Sequence, residues 1–403
     1  MPTFSLWVTF ALLFALTKSA NQESLTTSPV MKIAPGNADF AFKLYHKLTS
    51  QVSNKNLLFS PLSISTAFAL LSLGAKTTTL NQLLSELGFN RAEISEKEVH
   101  KDFLNLLQTL NNPTAERELS IGNAIFINNQ FELLQEFVEN AKHFYQADVL
   151  PADFSHPAKA EKQINDYINQ KTNGKLNDVV KGFDSTVVSV IVNYIFMKAY
   201  WKVPFNHVST REGNFFVDEQ TTVKVPMMNR QHPFDIYEDK DLSCKVLHLP
   251  YKGDISALFI LPEPGKMKLV ENALGKEVLL KWGKSLKSQR IQLSLPRFSI
   301  SAEYDVKDLL SQLGITEVFT DHADLSGITG QHNLKVSKAI HNTFLNVHEN
   351  GTEAAAVTVA EIVFKSRQWN LQFTFDHPFI LLIANKNTES ILFLGRVVNP
   401  TKN

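Results

Sequence analysis

Residues 350–369 read NGTEAAAVTVAEIVFKSRQW and hold the side chains with the most chemical consequence. Lys365-Ser366-Arg367 follows the bulky apolar Phe364. Such a site suits a trypsin-like protease, whose specificity pocket carries a carboxylate. The residues before it are small. At a period of two, one face reads Thr352, Ala354, Ala356, Thr358, Ala360 and Ile362, and the other Glu353, Ala355, Val357, Val359, Glu361 and Val363. The first face could slide between two strands without striking a packed layer beneath, while the second could face water. The run lacks turn residues after Gly351 and has little to bury while exposed, which makes it a poor loop and a good latent strand. A strand added inside a sheet gains a hydrogen-bond ladder on both edges, each bond worth about 0.5–1.5 kcal/mol net. Taken alone, the same run could be an ordinary strand or an Ala-rich helix, and Lys365 merely an exposed lysine.

Signatures of enzyme chemistry are absent. The chain has no GxSxG, HExxH, GxxxxGK[ST], GxGxxG or EF-hand loop. Its twelve histidines do not fall into a metal-ligand spacing, and the neighbourhood of His341 and His348 reads as strand. We therefore expect no enzyme, no metal and no cofactor, although distant residues could still assemble a catalytic group. Forty basic and forty acidic residues cancel, so bulk charge attracts neither nucleic acid nor membrane.

The apolar run Phe4–Leu16 is too short for the about 20 residues that span a bilayer, and fits a secretory signal in residues 1–20, cut after Ser19 or Ala20. A buried N-terminal helix is the alternative. Residues 21–30 read as a polar tail, and 31–403 as one domain without linker or repeat. A secreted chain of this size can stand without disulfides, and its one cysteine, Cys244, reads as a buried thiol. The first third reads helical. ADFAFKLYHKLTSQV has helical apolar spacing, SPLSISTAFALLSLGA starts at Ser60-Pro61 and stops near Gly74, and TTTLNQLLSELGF follows. AEKQINDYINQKTNG and VENALGKEVLLKWGKSL also read as helices. Later runs such as VVSVIVNYIFMKAYW, ISALFILP, IQLSLPRFSI, FILLIANK and SILFLGRVV read as buried strands. Helices mostly first and strands mostly later predict an α+β fold with large mixed sheets.

ENGTEAAAVTVAE resembles the hinge of the serpins, and FSPLSISTAFALLSLGA resembles their shutter segment. VNYIFMKAYWKVPF, LPRFSI, ADLSGI and FLGRVVNP resemble further serpin signatures in the family's order, so the likeness covers residues 35–403. MKIAPGNADFAFKLY and KAIHNTFLNV are most similar to the antitrypsin-like clade of plasma serpins.

The resemblance implies a serpin fold with an exposed reactive-centre loop, and a monomeric, extracellular inhibitor of a trypsin-like serine protease of kallikrein or protein C type. Loop insertion is a known property of the family rather than something deduced from these residues. The family's scissile bond lies sixteen residues beyond the hinge glutamate, which from Glu349 falls at Lys365-Ser366, with Phe364 in the neighbouring subsite. The resemblance makes Glu349, Gly351, Thr352, Glu353, Ala354, Ala355, Ala356 and Thr358 the hinge. Arg297 would pair with Glu349, Trp201 would cap the sheet, and Ser60, Asn193 and His341 would form the shutter. Non-inhibitory serpins that carry a hormone or small ligand are the alternative.

Asn350-Gly351-Thr352 is an N-glycosylation sequon, whose glycan would sit beside the segment that must insert. Residues 266–290 hold seven Lys and Arg against Glu271 and Glu277. Lys284, Lys287 and Arg290 are expected to crowd a helix end, and with Lys281 they form a candidate heparin site, in a region with which some serpins of this clade bind heparin. A solvated helix face is the plain alternative.

Overall fold

The computed structural model describes residues 31–352 and 371–402. The expected signal and tail, Glu353, Ala354, Ala355, Ala356 and Thr358 of the hinge, and Phe364, Lys365 and Ser366 lie outside the described residues.

Helix Ala34–Gln51 starts with Pro35 in its first turn and buries Phe40, Ala41, Leu44, Tyr45 and Leu48 along one stripe. Helix Pro61–Ser72 is capped by Ser60, whose hydroxyl accepts from the Ser63 amide, and every residue in it is buried. Thr77–Glu86 and Pro157–Lys171 are helices where the spacing predicts them. Helices Glu96–Asn111 and Gln135–Tyr145 were not foreseen, although a capping box between Ser95 and Glu98 announces the first. The run VENALGKEVLLKWGKSL is two helices, Met267–Ala273 and Lys276–Ser285, broken at Leu274-Gly275.

Among the described residues the strands form two sheets. The smaller has the order β10 (Phe298–Asp305), β11 (Lys338–His348), β12 (Gly351–Thr352), β4 (Ser189–Tyr200), β2 (Arg117–Asn128), β3 (Asp148–Ala152). The larger runs β1 (Leu57–Phe59), β15 (Ser390–Val397), β14 (Phe379–Asn385), β8 (Ile255–Pro262), β7 (Cys244–Pro250), β6 (Thr222–Asp239), β9 (Lys287–Pro296), β13 (Gln372–Thr374), with β5 (Arg211–Phe216) paired to β6. The predicted α+β class is the observed one. IQLSLPRFSI is two strands in two different sheets, and Arg297 stands at the crossover.

The decisive register lies between β11 and β4. They pair in parallel from Lys338 opposite Val190 to Phe344 opposite Phe196. Beyond Phe344 they part, and β12 occupies the gap. Thr352 pairs with Val347 on one side and Ala199 on the other, while Gly351 pairs with His348 and Tyr200. Both pairings are antiparallel.

Candidate functional site: the hinge and the joint beneath it

Gly351 has φ +144, and a Cβ there would lie 2.0 Å from the Ala199 carbonyl oxygen. Only glycine admits so close a backbone approach. Thr352 is 1% exposed, and its hydroxyl lies 2.8 Å from that of Tyr251. The Tyr251 ring stacks on Trp201, with centroids 4.0 Å apart. Trp201 fastens the approach to the hinge: its indole N–H donates to the His348 carbonyl and its amide to the Asn350 carbonyl, both at 2.9 Å. It lies at the end of the sheet where β12 enters.

The carboxylate of Glu349 is 2% exposed. The expected Arg297 partner is present but distant, Nη1 to Oε1 being 3.9 Å. The Thr210 hydroxyl is closer, donating to Oε1 at 2.7 Å, and His207 Nδ1 stands 3.6 Å from Oε2. Burial pushes this carboxyl up, but the Thr210 bond and the His207 and Arg297 charges outweigh it and hold the group below its ordinary value. Thr210 and His207 were invisible in the sequence because they are far from residue 349 in the chain.

Beneath the hinge, Asn193 of β4 and His341 of β11 face each other across the parallel pairing. His341 Nδ1 donates to Asn193 Oδ1 at 2.6 Å, and Nε2 accepts the Ser60 amide at 2.9 Å. That pattern fixes the neutral tautomer. Burial pushes the imidazole down to about 3. Ser60 thus contributes its amide here, while its hydroxyl caps the helix. The side-chain partners are Ser63, which donates to Asn193 Oδ1 at 2.7 Å, and Asn123, which accepts from Asn193 Nδ2 at 2.6 Å. Sequence reading missed both, although a polar Asn123 inside the apolar strand IGNAIFIN is a visible signal. A small void lined by Ile64, Ala67, Phe68, Ile191 and Ala339 lies against this pair.

The basic residues need a correction. Lys287 and Arg290 belong to β9 and point to opposite faces of it, so they do not crowd a helix end. The Lys281 ammonium is clasped by Asp239 at 2.9 Å and Asp241 at 2.8 Å, and the Trp282 indole donates to the same Asp239. A polyanion would have to compete with both carboxylates for Lys281.

A profile described as "Serpin (serine protease inhibitor)" matches residues 35–400. The chain belongs to the serpin family. This serpin is 46% identical to alpha-1-antiproteinase of Rattus norvegicus, over 92% of the chain and 90% of that protein. It is also 46% identical to alpha-1-antichymotrypsin of Homo sapiens, over 91% of the chain and 88% of that protein. Among solved structures, human glycosylated kallistatin superposes with TM-score 0.87 at 41% identity, over 93% of the chain and 100% of that one. Human thyroxine-binding globulin gives 0.88 at 39%, over 92% and 99%. The serpin falls with the antitrypsin-like plasma serpins.

Asn350 of the sequon is 3% exposed and Thr352 only 1%. A branched glycan has no room there while β12 is seated. We expect Asn350 to be bare in any fraction that binds protease covalently. Peptide mapping with and without a glycan-releasing amidase reads this directly, and a glycan on complexed protein would contradict the seating.

Proposed function

We propose that this serpin is a secreted inhibitor that traps a trypsin-like serine protease, cut at Lys365-Ser366, by drawing the cleaved segment into the smaller sheet. The observation that carries the reading is β12, whose two residues, Gly351 and Thr352, stand between β11 and β4 and are paired on both edges. Protease attack at the Lys365 carbonyl would release the Ser366 amine and leave an acyl-enzyme. The segment behind Thr352 would continue the strand β12 has begun, carrying the acylated enzyme with it. Inhibition is then a race between strand insertion and deacylation, in which the serpin itself supplies no catalytic group. The 46% identity to alpha-1-antichymotrypsin supports the inhibitory class.

A carrier role is the second reading, favoured by the likeness to a thyroxine-binding globulin solved with thyroxine. Against it stands the hinge, with small residues at Ala354, Ala355 and Ala356 and no proline. The exposed Lys284, Lys287 and Arg290 would supply any heparin contact, with Lys281 contributing only after release from its carboxylates.

The test mixes the protein with trypsin and with tissue kallikrein and boils the products in detergent. We expect a band at the summed mass. Clipping after Lys365 with no such band would assign the chain to the substrate or carrier class.

A further inference from the structure

The chain re-enters the described structure at Leu371 on the far side of the bait. Buried Phe373 and Phe375 anchor it there, and few backbone bonds add to them. β13 pairs with β9 over only Gln372 to Thr374. Leu371 accepts from the Gln292 amide at 3.0 Å, Phe375 donates to Ser294 at 2.9 Å, and Asp376 accepts from Phe216 at 2.7 Å. His377 comes next, and its ring bridges two elements. Nδ1 is 2.7 Å from the carboxylate Oδ1 of Asp376, and Nε2 is 2.8 Å from the Pro262 carbonyl at the end of β8. Both partners are acceptors only. A neutral imidazole has one N–H, so it would satisfy one partner and turn a lone pair on the other, whereas an imidazolium donates to both. The charged groups around the ring are Asp376 on its own segment, which favours the cation, and Lys245 on β7, which opposes it. Glu263 follows Pro262 where the chain leaves β8.

We propose that His377 is an acid-tightened latch on the return end of the bait. Protonated, it ties the segment after β13 to the end of β8; without the proton, the remaining N–H stays with the Asp376 carboxylate, the stronger acceptor, and the tie to Pro262 is lost. Burial opposes the charge, but the Asp376 and Pro262 contacts outweigh it and raise the pKa above its ordinary value. A raised folded pKa means the latch is fully closed below the ordinary histidine value of about 6.5 and fades as pH rises through the raised value. The consequence for trapping rests on the inhibitory reading, since only then is the segment 353–370 a bait held at both ends. The latch itself does not depend on that reading.

Hydrogen exchange of the full chain tests it without any protease, so failure of the latch and failure of inhibition can be told apart. After correction for intrinsic rates, we expect the Phe373 and Phe375 amides to lose about tenfold protection between about pH 5.5 and about pH 8.5. In His377→Gln the same amides should be equally weak at both. Protection that is flat with pH in the wild type, or a pH dependence that survives in His377→Gln, would overturn the latch. So would a nitrogen spectrum showing His377 neutral at about pH 5.5.

Discussion

Thr352→Arg should leave the bait cleavable and abolish the covalent complex. Thr352 is 1% exposed, enclosed between β11 and β4 and touching the Tyr251 hydroxyl. An arginine there would bury a guanidinium with no carboxylate described against that hydroxyl. A buried unpaired charge costs about 3–5 kcal/mol. The hinge would leave the sheet before accepting that cost. If insertion is the step that competes with deacylation, a barrier raised by that amount slows it by more than about a hundredfold. The protease then completes hydrolysis and departs. Densitometry of the detergent-stable band gives the trapped fraction, and chain cleavage the turnover. Thr352→Ser keeps the hydroxyl and should trap normally. A Thr352→Arg protein that still forms the band would rule out insertion through this hinge.

The second large effect concerns the joint between Asn193 and His341. Asn193→Ala removes the acceptor shared by the Ser63 hydroxyl and His341 Nδ1, and the donor to Asn123. Each buried polar group left without a partner costs about 1–3 kcal/mol, so the total should reach several kcal/mol and lower the urea midpoint clearly. The same joint gives the protein an acid-sensitive limit. His341 is neutral when folded, with its value pushed down to about 3, whereas an unfolded histidine titrates near 6.5. Below about 6.5 the unfolded chain therefore binds the extra proton, and stability falls by about 1.4 kcal/mol per pH unit from this group. Its sign is opposite to that of His377. Urea unfolding between about pH 7 and about pH 5 should show this slope reduced in His341→Gln. An unchanged slope would mean another group carries the acid sensitivity.

Much of this was legible in the sequence. Ser60-Pro61 announced a helix start, and the capping hydroxyl and proline are where a helix needs them. The apolar runs announced strands, because a strand buried on both faces must be apolar throughout. Thr352 stood out as the head of a face of small residues, and Gly351 through the resemblance to the serpin hinge. What the sequence hid is what depends on distant approach. Thr210 and His207 become the neighbours of Glu349 only once the sheets cross. Asp239 at the end of β6 and Asp241 in the turn after it neutralise Lys281 on its helix, so a count of local charge overstated that patch. The break at Leu274-Gly275 was also missed, since the helical spacing continues through it.

If the proposed insertion occurs, the parallel run from Lys338–Val190 to Phe344–Phe196 dictates where a lengthening β12 would travel. Each advance unzips one rung of that ladder and replaces it with two, one on each flank, so the exchange gains bonds only after the rung ahead has opened. In the proposed mechanism, opening would therefore proceed as a travelling fork from Phe344 toward His341. The neutral imidazole and its asparagine would stand as a checkpoint in the fork's path, and the speed of the proposed trap would be governed by how fast that pair lets go.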